Sequence, residues 1–304
     1  ELLESEEVKL VLQAARGQTP APAEIPRQRL PLGPSPMSTQ LLLACLFTFI
    51  IHLVSTLSLT VRVVGLRTRR FALSYALFAA MALASRTVNT LQGPLLAGQV
   101  EANLRTGRTD DASDFRWVIL TATLATLAGV LAFQSFQRLL ARGVEGYYER
   151  RSFGRLLLWA LAPKRLRQVP QHLKLPDPAN WQHLRGRFNV SFWVLFLNAL
   201  ANAVLTVGVL ATLYAAYLRP ELRATSASLS GVVNGVAVVI MTIVIDPQMA
   251  LLTDEVLAGT HSEGYYRRYI VLILMARLVG TLLAQALLVP FAYGVVWVAE
   301  GLGR

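Results

Sequence analysis

Five or six apolar stretches, each with room for the roughly 20 residues that a helix needs to cross a bilayer, fill this chain from about residue 40 to its end. Segments 119–133 and 270–289 are nearly unbroken. In hydrocarbon every backbone polar group must be satisfied internally, so a spanning segment is a helix or part of a closed barrel. A barrel strand would alternate apolar and polar residues, and no such alternation is visible. The sequence therefore specifies an all-α, polytopic integral membrane protein. Six spans are expected, at about 40–64, 71–97, 117–137, 191–218, 224–246 and 269–297.

Composition supports that solvent. Of 304 residues, 54% are hydrophobic and 15% charged, against about 25% charged in an ordinary soluble domain. The net charge of +11 points to anionic membrane lipids, and no nucleic-acid partner is expected. The single cysteine, Cys45, lies in the first apolar run and reads as a small core residue. No metal-ligand spacing is present and no cofactor is expected. Residues 1–36 are polar and proline-rich, and are expected to form a disordered tail without a signal-peptide core. The transmembrane domain is expected over 37–304.

Charge placement sets the expected topology. The first connection carries Arg62, Arg67, Arg69 and Arg70 without an acid, and the third, 138–190, is strongly basic. The positive-inside rule places both in the cytoplasm, so both termini would face outward. Within the third connection, Phe153, Leu156, Leu157 and Ala160 share one helical face, as in an interfacial helix on the anionic leaflet. Two inverted three-helix repeats are a further expectation. Arg70 and Arg223, Pro94 and Pro247, and Glu101 and Asp254 are each separated by 153 positions, and Gly129 and Gly280, like Gln134 and Gln285, by 151.

Polar residues inside the apolar runs carry the functional reading. An arginine at bilayer depth costs about 2.5–3.5 kcal/mol on insertion scales and normally faces a bundle interior or a wet cavity. Arg86 and Arg277 are such residues. Ser85, Asn89 and Gln92 stripe the second span beside Arg86. Arg277, Thr281 and Gln285 align on the sixth. His52, Ser55 and Thr56 lie on the first, Asn198, Asn202 and Thr206 on the fourth, and Ser226, Ser230 and Asn234 on the fifth. Gly231 and Gly235 form a GxxxG pattern, which favours close helix approach. The stripes together predict a polar, cationic cavity suited to a pyrophosphate, whose oxygens match the planar guanidinium. Pro94 and Asp246-Pro247 are expected to break their helices. Asp246, Asp254 and Glu255 are candidates for pairing with arginines or for carrying a coupling proton.

Three segments, TFIIHLVSTLSLTVRVVGLRTRRFALSYALF, ASRTVNTLQGPLL and DPQMALLTDEV, taken together resemble the Amj family, the alternate lipid II flippases of bacteria. The resemblance covers roughly residues 37–300 and rests on Arg62, Arg67, Ser85, Arg86, Asn89, Gln92, Pro94, Asp246, Gln248, Asp254 and Glu255. It implies a cytoplasmic-membrane transporter that moves undecaprenyl-pyrophosphate-linked peptidoglycan precursor outward. On the residues themselves, the arginines of the first connection, Arg62 and Arg67 among them, are expected to gather the substrate at the cytoplasmic leaflet. Two other readings remain open on the residues alone. One is a membrane enzyme acting on a polyprenyl phosphate, for which Asp254-Glu255 is the nearest acidic cluster. The other is a scaffold that recruits proteins through 138–190.

Overall fold

The computed structural model describes residues 38–105, 107, 112–150 and 190–302. Helices α1 (Thr39–Leu57) and α2 (Leu59–Thr68) form the first span, α3 (Phe71–Arg105) the second, and α4 (Ser113–Arg150) the third. The fourth is α5 (Phe192–Leu218). The fifth is composite: a 3₁₀ turn (Pro220–Leu222), α6 (Arg223–Ser228), α7 (Ser230–Ile240), a π-helical turn (Met241–Ile245) and α8 (Asp246–Leu257). The sixth is α9 (Glu263–Leu302). Six helices are long and apolar enough to cross a membrane, and no strand occurs among the described residues. The chain is a multi-pass, all-helical membrane protein.

The helices run past the apolar runs. The second reaches Arg105 instead of ending near 97, and the sixth opens at Glu263 instead of 269. Charged residues at helix ends retain intrahelical hydrogen bonds while their heads leave the hydrocarbon, so an apolar run understates its helix. Pro94 does not break α3, which continues through it. The preceding turn bears the lost hydrogen bond, and neighbouring groups can re-satisfy the backbone in a membrane helix. Asp246-Pro247 does mark an irregularity, because the π turn ends there and Pro247 occupies the first turn of α8. The interfacial helix expected near 153–160 and the tail over 1–36 lie outside the described residues.

Each half of the bundle joins its first span to its third through a glycine. A Cβ on Gly129 of α4 would stand 2.8 Å from Thr56 of α1, and one on Gly280 of α9 would strike the Ala199 carbonyl of α5. Without a hydrophobic force between helices in lipid, such backbone proximity supplies the van der Waals packing that holds them. The Gly231/Gly235 pair does the opposite of what its spacing predicts. No atom lies within 4 Å of a Cβ at either position, so that face of α7 packs against nothing in the fold.

Two apolar clusters close the bundle at its two ends. One gathers Leu41, Leu96, Phe115, Leu210, Tyr214, Tyr217 and Val295. A polar chain reinforces it: Ser38 donates to Gln99, Gln99 to Asn103, and Asn103 to Asp114 and Tyr217. The other, beside the arginine-rich turn at Arg67–Arg70, gathers Leu59, Val63, Phe133, Val194, Ile245, Met249, Tyr266 and Ile270. Exposed aromatic residues mark both levels, Trp117 and Trp297 at the first and Tyr75 and Trp193 at the second, as in the belts at bilayer interfaces.

A polar cavity between the two halves

Between the clusters lies a cavity of about 360 Å³. Its walls come from every span, and most of its polar lining was legible as stripes. His52 and Ser55 face it from α1, Ser85, Arg86, Asn89 and Gln92 from α3, Asn198, Asn202 and Thr206 from α5, Asn234 from α7, Asp246 from α8, and Arg277 from α9. Thr48, Ser58 and Thr242 also line it and were missed. Thr48 lies four residues before His52 and seven before Ser55, so its helical spacing carried the signal.

Arg277 is the most buried charge of the cavity, 8% exposed. It donates to the Ser55 carbonyl at 3.1 Å and to the Ser55 hydroxyl, while its Nε has no partner. No carboxylate forms a salt bridge with it among the described residues. The buried Nδ1 of His52 and Oδ1 of Asn234 are likewise unsatisfied. Buried polar groups without partners cost about 1–3 kcal/mol each; all three side chains line this cavity, with the Asn234 oxygen turned onto Gly208 of α5.

The remaining lining is ordered by its own hydrogen bonds. Gln92 donates to Thr48 at 2.5 Å, and Ser85 to the Ile51 carbonyl at 3.1 Å, which fixes α3 on α1. Asn198 donates to the Ile273 carbonyl at 2.9 Å, and Asn202 to the Asn198 carbonyl at 2.7 Å. These bonds hold both amides in the cavity wall. Arg86 and Asn89 are exposed at its mouth.

Arg62 is not part of the wall. Its guanidinium bridges two halves of the molecule, pairing with Asp246 at 2.5 Å and lying 4.5 Å from the ring centroid of Phe78. Arg67 sits exposed at the basic end near Arg267, Glu263 and Arg138. Gln285 is turned away from the cavity and donates to the Arg116 carbonyl of α4 at 2.9 Å. Asp254 is exposed, and Glu255 lies 3.6 Å from His261 near the loop after α8. The structure thus brings Asp246 to the cavity and leaves Asp254 and Glu255 outside it. Among the described residues no three His, Cys, Asp or Glu side chains stand together as metal ligands would.

The family described as Amj, Alternate to MurJ, matches over residues 47–299. The protein named lipid II flippase Amj from Bacillus subtilis (strain 168) is 28% identical over 265 residues, covering 87% of this chain and 98% of that protein. No solved structure matches the chain.

Proposed function

The chain belongs to the Amj family, and on that premise we propose that it is a lipid II flippase. It carries undecaprenyl-pyrophosphate-linked peptidoglycan precursor from the inner to the outer leaflet of the cytoplasmic membrane. One observation supports this reading above the others: Arg277 is buried in a polar cavity without a carboxylate partner and with one N–H unused. A charge taken out of water needs a counter-charge, and a pyrophosphate supplies one through geometry that guanidinium matches.

The remaining roles follow from position. Arg86, exposed at the mouth, meets the pyrophosphate first and hands it to Arg277. Arg67, Arg69 and Arg70 gather anionic head groups at the cytoplasmic face, where surface potential and basic residues attract one another. Asn198, Asn202 and Asn234 offer amide donors and acceptors to sugar hydroxyls. The two halves then rock about the cavity, with the Arg62–Asp246 pair holding one end shut until substrate arrives. Both termini face outward in this arrangement.

The test is outward transport of fluorescent lipid II by purified protein in vesicles. Arg277→Gln keeps a hydrogen-bonding head on a shorter side chain and removes the charge. Transport is expected to fall by about tenfold or more, a barrier rise of roughly 1.4 kcal/mol. Wild-type rates in that variant would overturn the assigned role of Arg277, and an inactive wild-type protein would overturn the flippase reading itself.

A further inference from the structure

The cavity is shut at both ends but not at its side. The apolar clusters that cap it contribute Leu96 and Leu210 to one end of its lining, and Leu59, Ile245 and Met249 to the other. Among the lining residues, the exposed ones are Arg86, Asn89 and Thr242. Two belong to α3 and one to the π turn of the fifth span. α3 packs on α1, α2 and α5, whereas it has no comparable contact with α7, the π turn or α8. The cavity separates α3 from the fifth span, and the link between them is Arg62, which touches Phe78 on one side and Asp246 on the other.

Arg62 also sets the register across this gap. It places Phe78 and Asp246 at one level, and the two helices run in opposite directions, since α3 ends in the cluster opposite to the one that α8 joins. Fifteen residues on from Phe78 lies Gly93, and fifteen back from Asp246 lies Gly231. The π turn rises less per residue than α3, so the two glycines come to the same level within about one helical turn. Gly93 shares the side of α3 that bears Arg86 and Asn89, and Gly231 and Gly235 share the side of the fifth span that bears Thr242. No atom lies within 4 Å of a Cβ built at any of the three. Beyond them the flanks are apolar and exposed, with Leu83 and Leu91 on α3 and Val232, Val236 and Ile243 on the fifth span.

We infer that the gap between α3 and the fifth span is a lateral portal, in which the polyisoprenoid chain of the substrate lies against Gly93 and Gly231 while its pyrophosphate occupies the cavity. This rests on the flippase reading above. A lipid substrate must keep its long apolar chain in hydrocarbon while its head group is sequestered, so the polar site needs an opening onto the bilayer at the same depth. The gap supplies it. Its open glycines leave a smooth slot for a branched chain, and Arg277, with its unpaired Nε, lines the cavity behind it.

The experiment fills the slot. Gly93→Leu and Gly231→Leu are combined in the full chain, and outward transport of fluorescent lipid II is measured in vesicles. The added side chains enter open space, and leucine favours helix over glycine, so the fold is retained. Transport is expected to fall about tenfold or more, while binding of a soluble diphosphate-linked sugar that lacks the long chain stays at wild-type strength. Gly294→Leu, at another glycine with open space around it, is the control and transports normally. Wild-type transport in the double variant overturns the portal, as does loss of soluble-ligand binding along with transport. A wild-type protein that moves no lipid II instead overturns the flippase reading. A second measurement needs no bulky variant: a photoreactive benzophenone residue at position 93 or 231 should capture the isoprenoid chain of lipid II well above one at position 294. Equal capture at all three positions overturns the portal.

Discussion

Arg277 and Arg62 are both arginines inside a membrane bundle, yet their surroundings assign them different work. Arg62 is neutralised by Asp246 and rests on Phe78. Arg277 holds only the hydroxyl and carbonyl of Ser55. An uncompensated buried charge destabilises its fold, and apolar replacement of buried ionic groups is often neutral or stabilising by about 1–4 kcal/mol. Arg277→Met is therefore expected to leave thermal unfolding in detergent unchanged or shifted upward while transport is lost. A purely structural arginine would give the reverse, and paired melting and transport assays separate the two. For Arg62, breaking the pair is expected to matter more than removing it. Arg62→Met and Asp246→Leu singly should each cost stability, and the double variant should recover part of it, with a coupling of about 0.5–3 kcal/mol in a double-mutant cycle. Additive losses would show that the two side chains are not coupled.

At the scale of the helix, small residues divide into those that pack and those that open space. Gly280 lies against the Ala199 backbone and Gly129 against Thr56, whereas Gly93, Gly231 and Gly235 face nothing. Gly280→Leu should destabilise the α5–α9 pair by about 1–3 kcal/mol through overpacking, read as a lower melting temperature, while Gly235→Leu should melt like wild type. The sequence announced the glycine pattern on α7 but not its use, because spacing shows which residues share a face and not what stands opposite. Gln285 shows the same limit. Steps of four residues drift by about 40° each around a helix, so two steps from Arg277 turn the stripe away from the cavity and onto α4. Thr48 is the converse case: it shares the helical face of His52 and Ser55, and its hydroxyl donates to the Ala44 carbonyl and accepts from Gln92 at the cavity. Pro94 was misleading because a proline reads locally as a break, while its helix is retained by what surrounds it.

For the whole molecule, the apolar runs made the six crossings readable from composition alone, since hydrocarbon leaves so few alternatives. The order of the walls around the cavity was not readable, because lipid and protein interior are equally apolar and only packing tells them apart. Topology sits between these extremes. The arginine-rich turn at 67–70 and the 258–262 loop share one end of the bundle, and residues 107 and 221 belong to connections at the other. With Cys45→Ser as background, cysteines placed at Thr68 or Ser262 are expected to react with a membrane-impermeant maleimide only after permeabilisation. Those at Gly107 or Glu221 should react in intact cells. Labelling in the opposite pattern would invert the assigned direction of transport.

A void of about 360 Å³ lies at the lower end of the range occupied by drug-sized ligands, about 300–1,000 Å³. A disaccharide bearing a peptide is larger than that. On the proposed function the cavity must therefore expand before it admits that head group, and the expansion is a point of vulnerability. A compact, rigid bisphosphonate sized to the unexpanded chamber is expected to wedge it, satisfying the unused N–H of Arg277 while blocking the proposed expansion. Inhibitor searches against this protein should therefore favour small, stiff dianions over mimics of the full precursor.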